Sequence, residues 1–488
     1  MGAGEDGPVG LRWTGHVLVD TGVAGLTAFS ARACPEDVTA DDLERFARYA
    51  DQAFFTPLLQ SYSSVLFTMN GPMTQPSWGL DRRRAETGHL LRSYTLPPVP
   101  AEGECTFCGR GAVHRVYRDM VPMLSGRGVP NFFPQGSSGL PACGLCTLAL
   151  LALAVTAPMC GGRALIIEPE DRNLLLSFAR EWIPRLRERV QLSQQTDKKP
   201  PTISHPLTRT AEALVYLQDA GEYSDEARGG VTVYHLSNSG QGPAIDIYRL
   251  PSSVVRFVWR ARKAAHRAAW DELVRRGWLM AGQRKGRSKD TATGETEPAK
   301  GGTGRNQLYE DLFTLPERAV AFIRRHFLPQ SLSLARKRQA TGGTVTFVAS
   351  ETDCWVTWGL VALFIEEVMG MDKVRVLAIE QIGDRLAEEI ATMDDAKLFG
   401  TVFRADDYRT VRNILIRTGA SRLRRGLGPL VGFGDFLTVF EEGEEFARPD
   451  WRLGWDLTVI RMLERLHQSG WLGRQQSALK ETLTTETA

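Results

Sequence analysis

Two Cys-x-x-Cys pairs, in "ECTFCGR" (residues 104–110) and "ACGLCTL" (142–148), constrain this 488-residue chain more than any other feature. Four of its seven cysteines, Cys105, Cys108, Cys143 and Cys146, sit in them. Each turn lets two thiolates converge on one ion, and two turns complete the tetrahedral four-thiolate set of a structural zinc site. The 34 residues between Cys108 and Cys143 exceed the about 15–20 of a compact ribbon, so the site is expected to close a loop-rich excursion. A redox dithiol needs only one pair beside a βαβ pattern, whereas both pairs here are flanked by the turn residues Gly109, Gly111, Pro141 and Gly144. Four thiolates leave no open position for water, which argues against a catalytic metal. His114 can replace one cysteine as a ligand, although a lone histidine more often packs or hydrogen-bonds.

The thiols are expected to stay reduced. The N-terminal "MGAGEDGPVGLRW" has no basic segment leading into an apolar one, so a cytoplasmic protein is the expectation. One stretch, 139–162, carries no charged residue, yet its aliphatic part from Leu148 to Val155 is far short of the ~20 residues that span a bilayer. It reads as a buried helix leaving the second knuckle, and no membrane partner is expected.

Length implies two or three domains, each with its own core. Residues 14–30 read as a short strand leading into a helix, and "SVLFTM" within 61–84 reads as a strand ending in turn residues. Thr39 with Asp42 three residues on is a capping box opening a helix that repeats Leu43, Phe46, Ala47 and Ala50. Residues 162–169 read as a buried strand, 173–190 as an amphipathic helix, 191–206 as a loop or boundary, and 230–251 as a β-hairpin around Asn-Ser-Gly-Gln-Gly. The insert 282–306 is almost free of apolar residues and is expected to be mobile. Beyond about 345 the pattern is helical, over 355–369, 373–393, 407–425, 433–442 and 451–468. The expected fold class is α+β: a zinc-bearing mixed N-terminal domain (1–200), a segment with hairpin, basic helices and insert (201–345), a C-terminal α-helical bundle (346–475) and a tail (476–488).

A formal charge of +2 gives no whole-chain attraction to nucleic acid, but its distribution is uneven. Residues 1–254 carry −3, 255–345 carry +11 and 346–488 carry −6. Arg256, Arg260, Lys263 and Arg267 fall at helical spacings of three and four, a strip suited to tracking a phosphate backbone, or a solvated helix face. A second cluster, Arg409, Arg412, Arg417, Arg422, Arg424 and Arg425, lies in an otherwise acidic segment. No G-x-x-x-x-G-K-[ST], H-E-x-x-H or G-x-S-x-G motif is present, and no carboxylates cluster with histidine at catalytic spacing. An enzyme is therefore not expected.

Four phrases, "TGHVLVDTGVAGLTAF" (14–29), "LFTMNGPMTQPS" (66–77), "GVPNFFPQGSSGLPACGLCTLAL" (128–150) and "VTVYHLSNSGQGPAIDIYRLPSSVVRFV" (231–258), bear jointly on family. In that order they resemble the large subunit of type I CRISPR Cascade complexes, the Cas-eight family in its Cst/Cmx branch associated with subtype I-B. The resemblance implies a zinc-bearing N-terminal domain joined to a helical bundle that acts as the small subunit. It further implies a nuclease-free subunit that binds the guide RNA (crRNA) complex and inspects the flanking motif (PAM) in target double-stranded DNA. Such a subunit begins strand separation and stabilises the R-loop, leaving sequence reading to the guide. Its partners would be backbone, 5′-handle-binding and small subunits, with a helicase-nuclease in defence or a transposition adaptor in RNA-guided transposition.

Residues carry these tasks unequally. Asn70 and Gln75, near Arg82, Arg83 and Arg84, are of the types that read base edges beside phosphate-gripping cations. Phe132 and Phe133 in "PNFFP" can wedge or stack on a base, or anchor the zinc loop, and Asn131 beside them is a further candidate for DNA contact. The two arginine strips would contact heteroduplex or displaced strand. A different class stays open, a zinc-containing transcriptional regulator or RNA-binding protein outside CRISPR. An enzyme whose catalytic cluster assembles only in the fold is a third reading.

Overall fold

The computed structural model describes residues 9–129, 136, 138–198, 204–219, 229–239, 242–282, 304–329, 357–442 and 446–475. Among these the chain is mixed α+β, about 60% helical with small sheets. It divides into two compact units, Met1–Leu250 and Pro251–Ala488.

Unit 1 is built on two buried helices, α1 (Val17–Phe29) and α5 (Gly144–Thr156). Twelve of the thirteen α5 residues are buried, which explains the charge-free stretch without a membrane. The two helices touch through glycine: a Cβ on Gly22 would lie 1.8 Å from the Ala149 carbonyl oxygen, and one on Gly25 would lie 1.8 Å from Thr156 Oγ1. Any side chain at either position would push the helices apart. Helix α2 (Ala40–Ala53) opens with the expected capping box, and α3 (Pro57–Leu66) and α4 (Leu80–Leu91) follow. Strands β1 (His114–Val116) and β2 (Leu140–Ala142) form a small antiparallel pair. A four-stranded antiparallel sheet runs β3 (Met159–Cys160), β4 (Arg163–Pro169), β5 (Val231–Ser237) and β6 (Ala244–Leu250). Helices α6 (Arg172–Thr196) and α7 (Pro206–Asp219) lie between β4 and β5 in the chain.

Unit 2 contains α8 (Ser252–Ala261), α9 (Arg267–Gly282), α10 (Gln307–Leu312), α11 (Ala319–His326), α12 (Trp358–Glu367) and α13 (Lys373–Met393). Then come α14 (Ala396–Arg404), α15 (Tyr408–Arg424), α16 (Phe433–Phe440), a two-residue pair β7 (Glu441–Glu442) and β8 (Phe446–Ala447), α17 (Trp451–Gln468) and α18 (Trp471–Arg474). Both expected stripes are buried: Ile379, Ile382, Leu386 and Ile390 of α13, and Leu453, Leu457, Ile460 and Leu463 of α17. Helix α8 joins this core by an edge-on contact between Phe257 and Phe364 of α12, centroids 5.1 Å apart.

Several expectations change. Among the described residues no strand precedes α1, because Val17 and Val19 are already in a helix buried nearly all round and Thr14 and Gly15 serve its first turn. Asp20 accepts hydrogen bonds from Thr14 N, Thr14 Oγ1 and Gly15 N, and pairs with Arg172 at 3.1 Å. "SVLFTM" is the end of α3 and the loop after it. Thr56 caps that helix, accepting from Leu59 N, and Pro57 occupies its first turn. Helix α6 runs to Thr196, into the expected loop, and the last turn of 433–442 is extended backbone from Glu441. The domain limits at 200 and 345 also move. Strand β5 pairs with β4 from Ala164↔Leu236 to Pro169↔Val231, so the hairpin belongs to unit 1, whereas the basic helices after it belong to unit 2. Most of the insert at 282–306 and the tail 476–488 lie outside the described residues.

Candidate metal centre and nucleic-acid interface

The pairing of β1 with β2 closes the long gap between the knuckles. His114↔Ala142, Arg115↔Pro141 and Val116↔Leu140 place the residues after the first knuckle beside those before the second. Thr106 N and Val113 N extend the junction by donating to Pro141 O (2.9 Å) and Ala142 O (2.9 Å). In the first knuckle Cys105 N donates to Arg110 O at 2.6 Å and Gly109 N to Cys105 O at 2.9 Å, with Gly109 at φ +74°. In the second, Cys143 is the N-cap of α5, and its Sγ accepts from Cys146 N at 3.5 Å. The positive end of α5 therefore faces the Cys143 sulfur.

The four Sγ atoms lie within 4.8 Å of one another, with Cys108 and Cys143 at 3.5 Å. Cys105, Cys143 and Cys146 are buried and Cys108 is half-buried. These cysteines could hold a metal ion: sulfurs bound tetrahedrally at about 2.3 Å stand about 3.8 Å apart, as this spacing allows. Their electrostatics fit the same conclusion. Hydrogen bonds from the other three thiols push Cys105 far below the usual thiol range. Cys108, although Cys105 acts to raise it, is brought down to about 6 by Cys143 and Cys146. Hydrogen bonding to Cys105 and Cys108, with burial, drives Cys143 and Cys146 well above the ordinary value. Four thiolates coexist here only if a cation offsets their charge.

His114 is not a fifth donor. Its Nε2 hydrogen-bonds Thr147 Oγ1 at 3.0 Å, and burial lowers its pKa.

Asn70 is exposed and Gln75 half-buried, both in the loop between α3 and α4. Thr74 Oγ1 donates to Thr68 O at 2.7 Å and Gln75 N to Gly71 O at 2.9 Å, which shapes that loop from within. Arg82, Arg83 and Arg84 occupy the first turns of α4. The Arg82 guanidinium stacks 4.1 Å from the centre of the Trp78 ring, and Arg84 lies 5.6 Å from that of Phe55. Sequence reading missed Trp78, which lies just before α4 and so leaves no helical spacing to Arg82 that could have signalled the contact. Asn131, Phe132 and Phe133 lie outside the described residues.

The first arginine strip is broken. Helix α8 ends at Ala261 and α9 starts at Arg267, so Arg256, Arg260, Lys263 and Arg267 do not share one helix face. Arg256 and Arg260 both pair with Glu367 of α12, Lys263 lies 5.2 Å from the Trp259 ring centre, and Arg267 pairs with Asp271. The second strip divides. Arg422 is buried, and both it and Arg425 are bound to Glu389 of α13, so these two hold a pair of helices together. Arg409, Arg412, Arg417 and Arg424 are exposed, and among the described residues none is held in an ion pair. They share the outer face of α15 with Ile416 and Leu423, which are 57% and 58% exposed.

No family model matches this chain, nor does any curated protein or solved structure. Among the described residues no helix is long and apolar enough to cross a membrane.

Proposed function

We propose that this chain is the non-catalytic large subunit of a type I-B-like CRISPR Cascade complex. It binds the guide RNA complex, recognises the PAM in duplex DNA and stabilises the R-loop, in interference or in RNA-guided transposition. The observation that carries the reading is the outer face of α15, where four exposed arginines stand outside any ion pair among the described residues, in a chain segment that is otherwise acidic. Such a face attracts phosphate without reading sequence, the task left to protein when a guide does the pairing. The resemblance of the four sequence phrases supports the choice of family. Asn70 and Gln75 are the base-edge readers, beside a Trp78–Arg82 stack that suits the rim of a duplex.

Zinc is the metal for the four cysteines, held by Cys105, Cys108, Cys143 and Cys146 as a structural cross-link. Elemental analysis of the purified chain should find one zinc per molecule. The functional test is to purify the tagged protein from its native host and sequence the RNA that accompanies it. A uniform population with a constant 5′ handle and variable spacers is expected. No such RNA, with the protein intact and its partners expressed, would replace this reading with a free-standing zinc-containing regulator.

A further inference from the structure

The side chain of Asn238, just past the end of β5, is fully buried and yet makes every hydrogen bond an amide can make. Its Nδ2 donates to Leu66 O at 2.8 Å and Arg118 O at 2.9 Å. Its Oδ1 accepts from Arg118 Nε at 3.1 Å and Met123 N at 3.2 Å. The main chain adds to this: Asn238 N donates to Val65 O at 2.8 Å, and Arg118 Nη2 donates to the carbonyls of Asn238 and Ser239 at 3.2 and 3.1 Å. Two carbonyls on one side and two N–H donors on the other fix which end of the amide is which.

Three stretches far apart in sequence thus meet on one side chain: the C-terminal end of α3, the loop through Arg118 and Met123, and the turn of the hairpin. The loop carrying Asn70 and Gln75 leaves this junction directly. Just past it Thr68 stands at φ +64°, and across it Met123 stands at φ +69°, a left-handed backbone that a non-glycine residue keeps only when its surroundings impose it. Gly71 brings the same loop against the Arg118 stretch, since a Cβ there would lie 3.1 Å from Asp119 O. Around the junction Met69, Asn70, Met123 and Ser239 are exposed, so a buried clamp carries a surface of loop tips.

We infer that Asn238 is a positioning residue that sets the recognition loop of Asn70 and Gln75 against the Arg118–Met123 loop, so that the two loops meet duplex DNA as one rigid surface. This rests on the proposed duplex-recognition reading. Asn238 touches no DNA itself; a base-edge reader discriminates only if its backbone is held before binding.

The test uses Asn238→Ala and Asn238→Asp in the full chain. The first readout, amide hydrogen exchange, does not depend on the functional reading. Asn238→Ala should speed exchange over 69–75 and 119–124 and leave α5 and β4 unchanged. Asn238→Asp keeps the acceptor toward Arg118 and Met123 and loses both donors, so it should loosen 69–75 and spare Met123. The second readout is made on the assembled guide complex. Discrimination between duplexes that differ only in the flanking motif should fall about tenfold, the worth of one base-edge interaction, while affinity for a guide-matched single strand holds. Loss of stability alone would weaken both substrates together and overturn the positioning role. Unchanged exchange in the two loops, or faster exchange with discrimination kept, overturns the inference. A wild-type complex that ignores the flanking motif overturns the duplex-recognition reading, and the exchange data then decide the clamp by themselves.

Discussion

Unit 1 gathers four cysteines and its most apolar helix at one point, whereas unit 2 repeatedly buries arginine against carboxylate between helices. In unit 1 the cysteine cluster adjoins α5 through Cys143 and Cys146 and reaches the N-terminal segment through Arg12, which donates to Cys108 O at 2.5 Å. In unit 2 Arg422 and Arg425 meet Glu389, Arg461 meets Glu380, Asp384 and Glu464, and Arg375 meets Asp450. Unit 1 therefore has a cluster that could take a metal cross-link, and unit 2 has a larger share of charge pairs, whose loss is felt one helix junction at a time. The difference predicts separate responses to the same insults.

The largest effect tests the cross-link. Replacing Cys105 and Cys143 together by serine should release the metal and unfold unit 1, because binding energies at structural four-ligand sites are on the order of 10 kcal/mol. Unit 2 should keep its exchange-protected amides. Unchanged metal content and melting would remove the four-cysteine centre, and simultaneous loss of unit 2 would break the comparison. Next comes Glu389→Ala, which leaves buried Arg422 with Glu388, at 3.5 Å, as its remaining ion-pair partner among the described residues and takes Glu389 from Arg425. It should cost about 3 kcal/mol, seen as lost protection in α13 and α15 with no change in metal content.

A smaller effect is set by pH. His326 of α11 is fully buried; its Nε2 meets Asp311 Oδ2 at 2.8 Å, and its Nδ1 has no hydrogen-bond partner among the described residues. Burial lowers its pKa, although Asp311 acts to raise it. A histidine kept neutral by folding contributes stability that is lost as pH falls below its unfolded value of about 6.5. Asp311, lowered because His326 and Arg325 outweigh its burial, adds a loss only nearer pH ~4 and below. Amide protection in α10 and α11, taken relative to the intrinsic exchange rate at each pH, should therefore fall as pH drops below about 6.5, and His326→Gln should flatten that dependence. A slope that survives the substitution would assign it elsewhere.

How far the sequence revealed this follows from the range of each signal. The knuckles were legible because two short spacings carry the chemistry, and the α13 and α17 helices because their stripes repeat over several turns. The three-residue strands that unite the knuckles were not, since a pairing such as Arg115↔Pro141 leaves no local pattern. Helix α1 was misread in part as a strand because a helix buried on most sides lacks the polar face that sets its period, whereas α3 was misread because only its last three residues were taken, together with the loop that follows. The first arginine strip failed for another reason: its partner Glu367 lies 111 residues from Arg256. Asn238 looked like a turn residue and nothing more.

Charge offers the last and smallest test of stability, and the one closest to function. Arg409, Arg412 and Arg417 are as cationic as Arg422, but lie on the opposite side of the same helix and are exposed. Reversing these three to glutamate removes no ion pair seen among the described residues, so stability should move by less than about 1 kcal/mol. Nucleic-acid binding should respond strongly. Each phosphate that the protein no longer neutralises lowers the dependence of log affinity on log salt by about 0.7–0.9, so three of them flatten the slope by about two to three. The same reversal at Arg256 and Arg260 should leave the slope alone and loosen α8 from α12, because those cations already answer Glu367. Equal slopes for the triple and double variants would mean that exposure on α15 does not distinguish a binding face from a solvated one.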